Sequence, residues 1–244
     1  MSAFAGKIAA VTGTSRGIGR AMALELAKQG AHVIAIARTE GGLTELDDEI
    51  KAMGGSATLV PLDLKKGDDI DKLGAIIFER WQKLDILFAN AGILGKLTPV
   101  GHLDIRMWDD VIASNLTSNW RLIRSFDPLL KASSKGRAVF MTSGAAVNFR
   151  AYWGAYSASK AGLEALVKTY AAETATTDLR VNLLNPGPIR TKMRAQAMPG
   201  EDPMTLATPE ELAKAALPLF MESLQETGEA FNFKRDSLSL EKRT

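Results

Sequence analysis

Six short apolar runs alternating with helix-patterned stretches constrain this chain more than any other feature. I-A-A-V-T at 8–12, V-I-A-I-A at 33–37, A-T-L-V-P-L at 57–62, I-L-F-A at 86–89, A-V-F-M-T at 138–142 and V-N-L-L-N at 181–185 are continuous rather than alternating. A strand reads this way when both of its faces are covered, as in a parallel sheet with helices on either side. Helical periodicity falls between the runs, near 18–29, 41–53, 68–82, 104–132, 154–176 and 209–223, with Gly30 and Gly54-Gly55 placed as helix stops. The expectation is an α/β fold with one doubly wound parallel sheet, flanked by helices on both faces and formed as a single domain over residues 1–244. No repeat or low-complexity linker interrupts it. The stretch near 188–208 carries Pro188, Pro199, Gly200 and Pro203 and is expected to be a substrate loop.

Three glycines, Gly13, Gly17 and Gly19, lie between the first strand and the first helix in T-G-T-S-R-G-I-G. Such a turn lets the backbone approach a pyrophosphate and aims the helix N-terminus at it. The spacing is G-x-x-x-G-x-G, not G-x-G-x-x-G, but its place in the first strand-helix-strand unit points to a dinucleotide and makes the sheet Rossmann-type. A site for NAD carries an acid at the end of the second strand. Here that strand ends A-I-A-R-T, with no acid until Glu40. Arg38 and Arg16 in the glycine turn offer guanidiniums to a 2′-phosphate, so NADP is favoured and NAD is the less likely cofactor.

Ala155 to Gly162 reads A-Y-S-A-S-K-A-G, and the chain has only three tyrosines. Tyr156 and Lys160 are four apart, on one face of a helix, among small residues that leave the space before them open. A neighbouring ammonium favours the phenolate. The phenol is thereby expected to fall from its usual pKa of about 10 toward a value useful for proton transfer.

Composition removes several rival chemistries. With 244 residues, 46% of them hydrophobic, the chain can bury a substantial core. Thirty basic and 28 acidic residues give a net charge of +2, without the basic stripe that nucleic-acid binding needs. The absence of cysteine excludes disulfides, thiolate catalysis and cysteine-ligated metal, and the two distant histidines, His32 and His102, form no metal site. No segment approaches the roughly 18 apolar residues of a membrane span, and M-S-A-F-A-G-K lacks the layout of a signal peptide. A cytoplasmic protein that binds neither nucleic acid nor membrane is expected.

With the glycine turn and the Tyr-Lys pair in place, the chain resembles the short-chain dehydrogenase/reductase family over nearly its whole length. T-G-x-x-x-G-x-G is present as Thr12 to Gly19, the N-A-G element as Asn90, Ala91 and Gly92, and Y-x-A-S-K as Tyr156 to Lys160. The family's active-site serine corresponds to Ser143 in M-T-S-G, its helix asparagine to Asn115 in I-A-S-N-L, and its P-G element to Pro186-Gly187. One departure is Ala89, where the family usually has the first asparagine of N-N-A-G; alanine cannot make that local hydrogen bond.

The resemblance implies hydride transfer between the nicotinamide C4 and a carbonyl carbon, in an NAD(P)-dependent oxidoreductase. Tyr156 would exchange a proton with the carbonyl oxygen, Ser143 would hydrogen-bond that oxygen, Lys160 would lower the phenol pKa and hold the nicotinamide ribose, and Asn115 would hold a relay water. Around the cofactor it implies contacts from Gly13, Ser15, Arg16, Gly17, Ile18 and Gly19 in the first turn, and from Arg38. Asp63 and Leu64 follow the third strand, with Asp63 placed to reach the adenine amino group or, read alone, to cap a helix. Asn90, Ala91, Gly92, Tyr156 and Lys160 would meet the nicotinamide side, joined by Pro186, Gly187, Ile189 and Thr191.

Phe149, Tyr152, Trp153, Ile93, Leu94, Met193 and Met198 offer apolar walls, which suits a small-molecule ketone or secondary alcohol. Arg150 and Arg194 offer instead to meet a carboxylate, a phosphate or a carrier-linked substrate. Two alternatives therefore stand beside the general reading: a reductase of 3-oxoacyl chains on acyl carrier protein, and a non-catalytic NADP-sensing protein. The helices at 104–132 and 154–176 are apolar on a second face, and the family commonly pairs them across a two-fold axis, so a homodimer or homotetramer is expected. The charged tail F-K-R-D-S-L-S-L-E-K-R-T gives no reading.

Overall fold

All six apolar runs form strands: β1 (Ile8–Thr12), β2 (His32–Ala37), β3 (Ser56–Pro61), β4 (Ile86–Ala89), β5 (Arg137–Met141) and β6 (Arg180–Asn185). The structure is a computed structural model that describes residues 2–237 and 239–243; Met1, Leu238 and Thr244 lie outside it. Two further strands, β7 (Ala230–Lys234) and β8 (Ser239–Lys242), complete an eight-stranded sheet of order β3-β2-β1-β4-β5-β6-β7-β8. Pairing is parallel from β3 through β7, and β8 runs antiparallel to β7. The expected doubly wound parallel sheet is thus present, and the charged tail, which gave no reading as sequence, adds one antiparallel strand at its edge.

Helices α1 (Gly17–Lys28), α2 (Glu40–Ala52), α3 (Gly67–Trp81), α4 (Ile105–Ile112), α5 (Ser118–Ala132), α6 (Ala145–Asn148), α7 (Gly154–Glu173), α8 (Lys192–Ala197) and α9 (Pro209–Ala216) connect the strands. Successive strand residues point to opposite faces, and this divides the core in two. Ala9, Val11, Val33, Ala35, Phe88 and Val139 pack with α1, α2 and α9. Ile8, Ala10, Ile34, Ile36, Leu87 and Phe140 pack with α3, α5 and α7 on the other face. Both faces of β1, β2, β4 and β5 are dry, which is why these runs do not alternate.

The expected helix at 104–132 is in fact two. Asp104 caps α4 by accepting from the Met107 N–H at 3.2 Å, and a π-helical turn, Ala113–Thr117, separates it from α5. Residues through that turn keep right-handed backbone angles, so no proline or glycine marks the break. The helix expected at 209–223 begins with a capping box between Thr208 and Glu211 but ends at Ala216, because Pro218 in the following 3-10 turn has no N–H to continue it. At the end of the sheet away from the strand C-termini, the buried guanidinium of Arg137 donates to the carbonyls of Gly136, Asp178, Met221, Glu222 and Leu224 at 2.8–3.2 Å. No helix among the described residues is long and apolar enough to cross a membrane.

Candidate active site

The neighbouring strands β1 and β4 end together and are tied there. Thr12 Oγ1 accepts from the main-chain N–H groups of Asn90 and Ala91, each at 2.9 Å, while Asn90 Nδ2 donates to the Thr12 carbonyl at 3.0 Å. Gly13 turns the chain with φ +74°, a left-handed conformation that costs glycine little. Gly19 serves a different need. A Cβ on it would lie 2.4 Å from the Gly13 carbonyl oxygen and 2.5 Å from Asn90 Nδ2, so only glycine lets α1 rest on the turn. Arg16 occupies the N-cap position of α1 but its side chain makes no capping hydrogen bond. The first-turn N–H groups therefore remain available, at the positive end of the helix dipole, to an anion in the cleft that Gly17 and Ile18 line.

Arg16 and Arg38 stand exposed at one rim of this cleft, and no acid among the described residues pairs with either. Arg20, by contrast, is consumed by Glu49 at 2.5 Å. Lys65, which the sequence reading did not single out, stands near enough to Arg38 for the guanidinium to act on its ammonium, and it donates to Asp110 at 2.9 Å. Arg38 and Lys65 thus meet where β2 and β3 end, and Arg16, from the turn after β1, lines the same cleft, as does Glu45. Asp63 does not cap a helix. Its carboxylate accepts from the Lys65 N–H at 3.1 Å and faces the cleft with Leu64.

At the opposite end, Ser143 follows β5 and meets Tyr156 and Lys160 from α7. Lys160 donates to the Met141 carbonyl at 2.7 Å, and its nitrogen is 5.8 Å from the centre of the Tyr156 ring. Trp153 packs edge-on against that ring at 5.9 Å. Burial of this pair outweighs mutual support, which corrects the expected fall of the phenol pKa. Burial pushes the Tyr156 phenol up, with the Ser143 hydroxyl pulling the other way. The Lys160 ammonium is pulled down to about 8 by burial, which the Glu164 carboxylate opposes.

Asn115 is fully buried in the π-helical turn. Its Oδ1 accepts from the Ile93 N–H at 2.8 Å, and its Nδ2 donates to the Ile93 carbonyl at 2.9 Å and to Ser159 Oγ at 3.0 Å. The side chain therefore clips the segment after β4 to α7. The turn's extra residue directs it inward, as π-bulges at functional sites do. A Cβ on Gly92 would lie 3.0 Å from Asn115 Oδ1 and 3.8 Å from Lys160 Nζ, so this loop approaches the ammonium closely.

One cleft of about 1150 Å³ joins the two ends. Gly13, Ser15, Arg16, Gly17, Ile18, Arg38, Asp63 and Leu64 line it, as do Asn90, Ala91, Gly92, Ser143, Tyr156, Lys160, Pro186, Gly187, Ile189 and Thr191. Gly19 and Asn115, both expected in direct roles, lie beneath the lining and shape it from behind. Beyond Ser143 the walls are Ile93, Leu94, Trp153 and Met193, with Met107 as an unforeseen member. Phe149 and Tyr152 instead point to solvent, 74% and 59% exposed, from left-handed backbone at φ 44° and 73°. Met198 and Arg150 are likewise outside the lining. Arg194 does reach the cleft, but its Nε and Nη2 donate to Glu201, each at 2.5 Å, so the side chain is already paired with an acid. Arg190 donates to the carbonyls of Pro203 and Leu206 and so closes the 188–208 loop on itself.

Comparison with known proteins agrees with this geometry. Residues 7–202 match the family model described as short chain dehydrogenase. The chain is 36% identical over 234 residues to an uncharacterized oxidoreductase, YciK, of Escherichia coli, covering 93% of this chain and 91% of that protein. It is 34% identical to a 3-oxoacyl-[acyl-carrier-protein] reductase of Synechocystis, covering 79% and 78%. A Shigella flexneri short chain dehydrogenase solved in complex with NADP superposes with a TM-score of 0.91 at 36% identity, covering 95% of this chain and 98% of that one.

Proposed function

The chain belongs to the short-chain dehydrogenase/reductase family of oxidoreductases, and from that premise we propose that it interconverts a neutral, apolar carbonyl compound and its secondary or primary alcohol with NADP as the redox partner. The observation that carries the reading is the convergence of Ser143, Tyr156 and Lys160 at one end of the cleft whose other end is the glycine turn. The fit to a dinucleotide rests on the close approach at Gly19, which a Cβ would fill, and on the uncapped start of α1. Arg16, Arg38 and Lys65 supply charge for a 2′-phosphate, and the Shigella flexneri relative was solved with NADP.

Bound NADPH supplies a hydride for carbonyl reduction, and NADP⁺ accepts one in the reverse direction. The protein's own groups manage the oxygen. The Tyr156 phenol, kept protonated by burial, donates its proton to the oxygen as charge develops there, and the Ser143 hydroxyl donates a hydrogen bond to the same atom. Lys160 is pinned by the Met141 carbonyl so that its charge lies beside the phenol and can stabilise the phenolate that proton donation leaves. Asn115 holds the Ile93 segment against α7, which fixes one wall of the substrate end.

The apolar walls Ile93, Leu94, Met107, Trp153 and Met193 favour a neutral substrate body. Against a carrier-linked acyl chain or a carboxylate stands the pairing of Arg194 with Glu201. A non-catalytic NADP-sensing role would leave the Ser143, Tyr156 and Lys160 cluster without a purpose. Loss of reduced-nicotinamide absorbance with benzil and 4-nitrobenzaldehyde, using NADPH and NADH in parallel, tests the reading. Tight binding of NADPH without turnover of either compound refutes it.

We also propose a homo-oligomer built on the outward face of α7, where Ala158, Ala161 and Ala165 leave a smooth surface for close helix packing. Light scattering at micromolar concentration tests this, and a monomer refutes it.

A further inference from the structure

Glu164 lies one helical turn beyond Lys160 on α7 and is only 7% exposed. Its carboxylate is held from two directions. From the sheet, Thr142 Oγ1 donates to Oε1 at 2.7 Å. From beyond β8, Arg243 directs Nη1 to Oε1 at 2.9 Å and Nη2 to Oε2. The arrangement is a bidentate fork, the strongest form of carboxylate recognition. Thr142 stands between Met141, whose carbonyl receives the Lys160 ammonium, and Ser143. Arg243 is itself fixed to the sheet, its N–H donating to the Ala230 carbonyl at 2.6 Å.

The catalytic groups come from two separate elements, Ser143 from the end of β5 and Tyr156 with Lys160 from α7. Glu164 bridges these elements, and a buried carboxylate can do so while ionised only if a cation compensates it. Among the described residues, the charged groups facing it are Lys160 on its own helix and Arg243 from just beyond the last strand, with the Thr142 hydroxyl opposite. Arg243 supplies that compensation from the tail, which gave no reading as sequence.

We propose that Arg243 is a positioning residue for the oxidoreductase site: through Glu164 and Thr142 it straps the end of β5 that carries Ser143 to the turn of α7 that carries Lys160. The proposal rests on the oxidoreductase reading for its kinetic consequence and on the hydrogen bonds alone for its structural one. Replacing Arg243→Ala is expected to lower kcat for benzil reduction about tenfold, with KM and the Kd for NADPH within about twofold, the split of a group that acts on reacting geometry rather than ground-state binding. Arg243→Lys, which keeps the charge but not the fork, is expected to recover part of the loss, as is millimolar guanidinium added to Arg243→Ala.

Hydrogen exchange reads the strap without turnover: the amides of Thr142 and Ala145 should exchange about tenfold faster in Arg243→Ala. A kcat within twofold of the parent together with unchanged exchange overturns the proposal, and so does a kcat loss that neither lysine nor guanidinium relieves. Should Arg243→Ala fail to fold, Thr142→Val severs the same strap at its other end with little change of shape. Parental kcat in that variant overturns the proposal equally. If the parent protein reduces no carbonyl, the oxidoreductase reading falls, while exchange at Thr142 and Ala145 still decides whether the strap exists.

Discussion

The Lys160 ammonium is bonded to the main-chain carbonyl of Met141 at 2.7 Å, which fixes the last residue of β5 to the helix that carries the tyrosine. A side chain with three donors is spending one on the sheet, and it does so while almost wholly buried. The cost of burying that charge is visible in its pKa, pulled down to about 8.

Stability should therefore rise with pH where the unfolded chain still binds this proton and the folded chain does not. The unfolded ammonium titrates near its ordinary 10.5 and the folded one near 8, so the destabilisation is complete below pH 8 and disappears as pH rises from 8 to 10.5. Lys160→Met is expected to raise Tm at pH 7 by about 2–4 °C while abolishing turnover. Thermal unfolding at pH 7 and pH 9.5 checks the sign: the gain must shrink at the higher pH.

Tyr156→Phe removes the proton donor and leaves the ring, its contact with Trp153 and the cleft unchanged in shape. The expected loss in kcat is about 10²–10⁴-fold, the range for a positioned general acid. NADPH affinity, read by nicotinamide fluorescence, should stay within about twofold. Activity within tenfold of the parent would remove Tyr156 from the role assigned to it.

The parts of this fold that were legible are those in which one local rule acted alone. The six runs read as strands because both faces of β1, β2, β4 and β5 are dry and leave no polar alternation to confuse with a surface strand. β7 escaped because A-F-N-F-K is only partly buried and short, with Asn232 between its phenylalanines and Lys234 after them. β8 escaped because its side chains are mostly exposed and charged, and its pairing partner, not its composition, makes it a strand. The π-helical turn that aims Asn115 keeps helical periodicity and so reads as an unbroken helix.

The site divides in the same way. The glycine turn and the Tyr156–Lys160 pair are visible because spacing along one turn or one helix places them, whereas Ser143, from the end of another strand, was reached only through the family resemblance. Lys65 was hidden among thirty basic residues until the ends of β2 and β3 brought it beside Arg38. Phe149 and Tyr152 were misplaced because their directions depend on a left-handed backbone, and Arg194, which does line the cleft, is engaged by an acid, Glu201, that local pattern does not reveal. The phenol pKa was misjudged because nearness to Lys160 is a sequence property and burial is a tertiary one.

Arg38→Ala should discriminate between the two nicotinamide cofactors. Arg38 is exposed and free of acid partners among the described residues, so its guanidinium is available to a 2′-phosphate, and a hydrogen-bonded contact to a charged group contributes about 1.5–3 kcal/mol. The Kd for NADPH is expected to rise about 10–100-fold and that for NADH to stay within about twofold. Lys65→Ala should cost only a few-fold, because its ammonium is shared with Asp110. Fluorescence titration of both cofactors decides; an equal loss for NADPH and NADH would place Arg38 away from the phosphate.

Gly19→Ala tests whether the turn is built for close approach. The new Cβ would meet backbone at 2.4 Å and the Asn90 amide at 2.5 Å, and neither can retreat without breaking the tie between the ends of β1 and β4. Overpacking of this kind costs about 1–3 kcal/mol, so Tm should fall by about 2–10 °C, and NADPH affinity should fall with it as the start of α1 is pushed off the turn. Gly41→Ala is the matching control, since a Cβ there meets nothing within 4 Å and its position in α2 favours alanine. That variant is expected to gain about 0.5 kcal/mol with unchanged cofactor binding. Differential scanning calorimetry with and without NADPH reads both effects, and a Gly19→Ala protein of parental stability and affinity would mean that α1 does not need to rest on the Gly13 carbonyl at all.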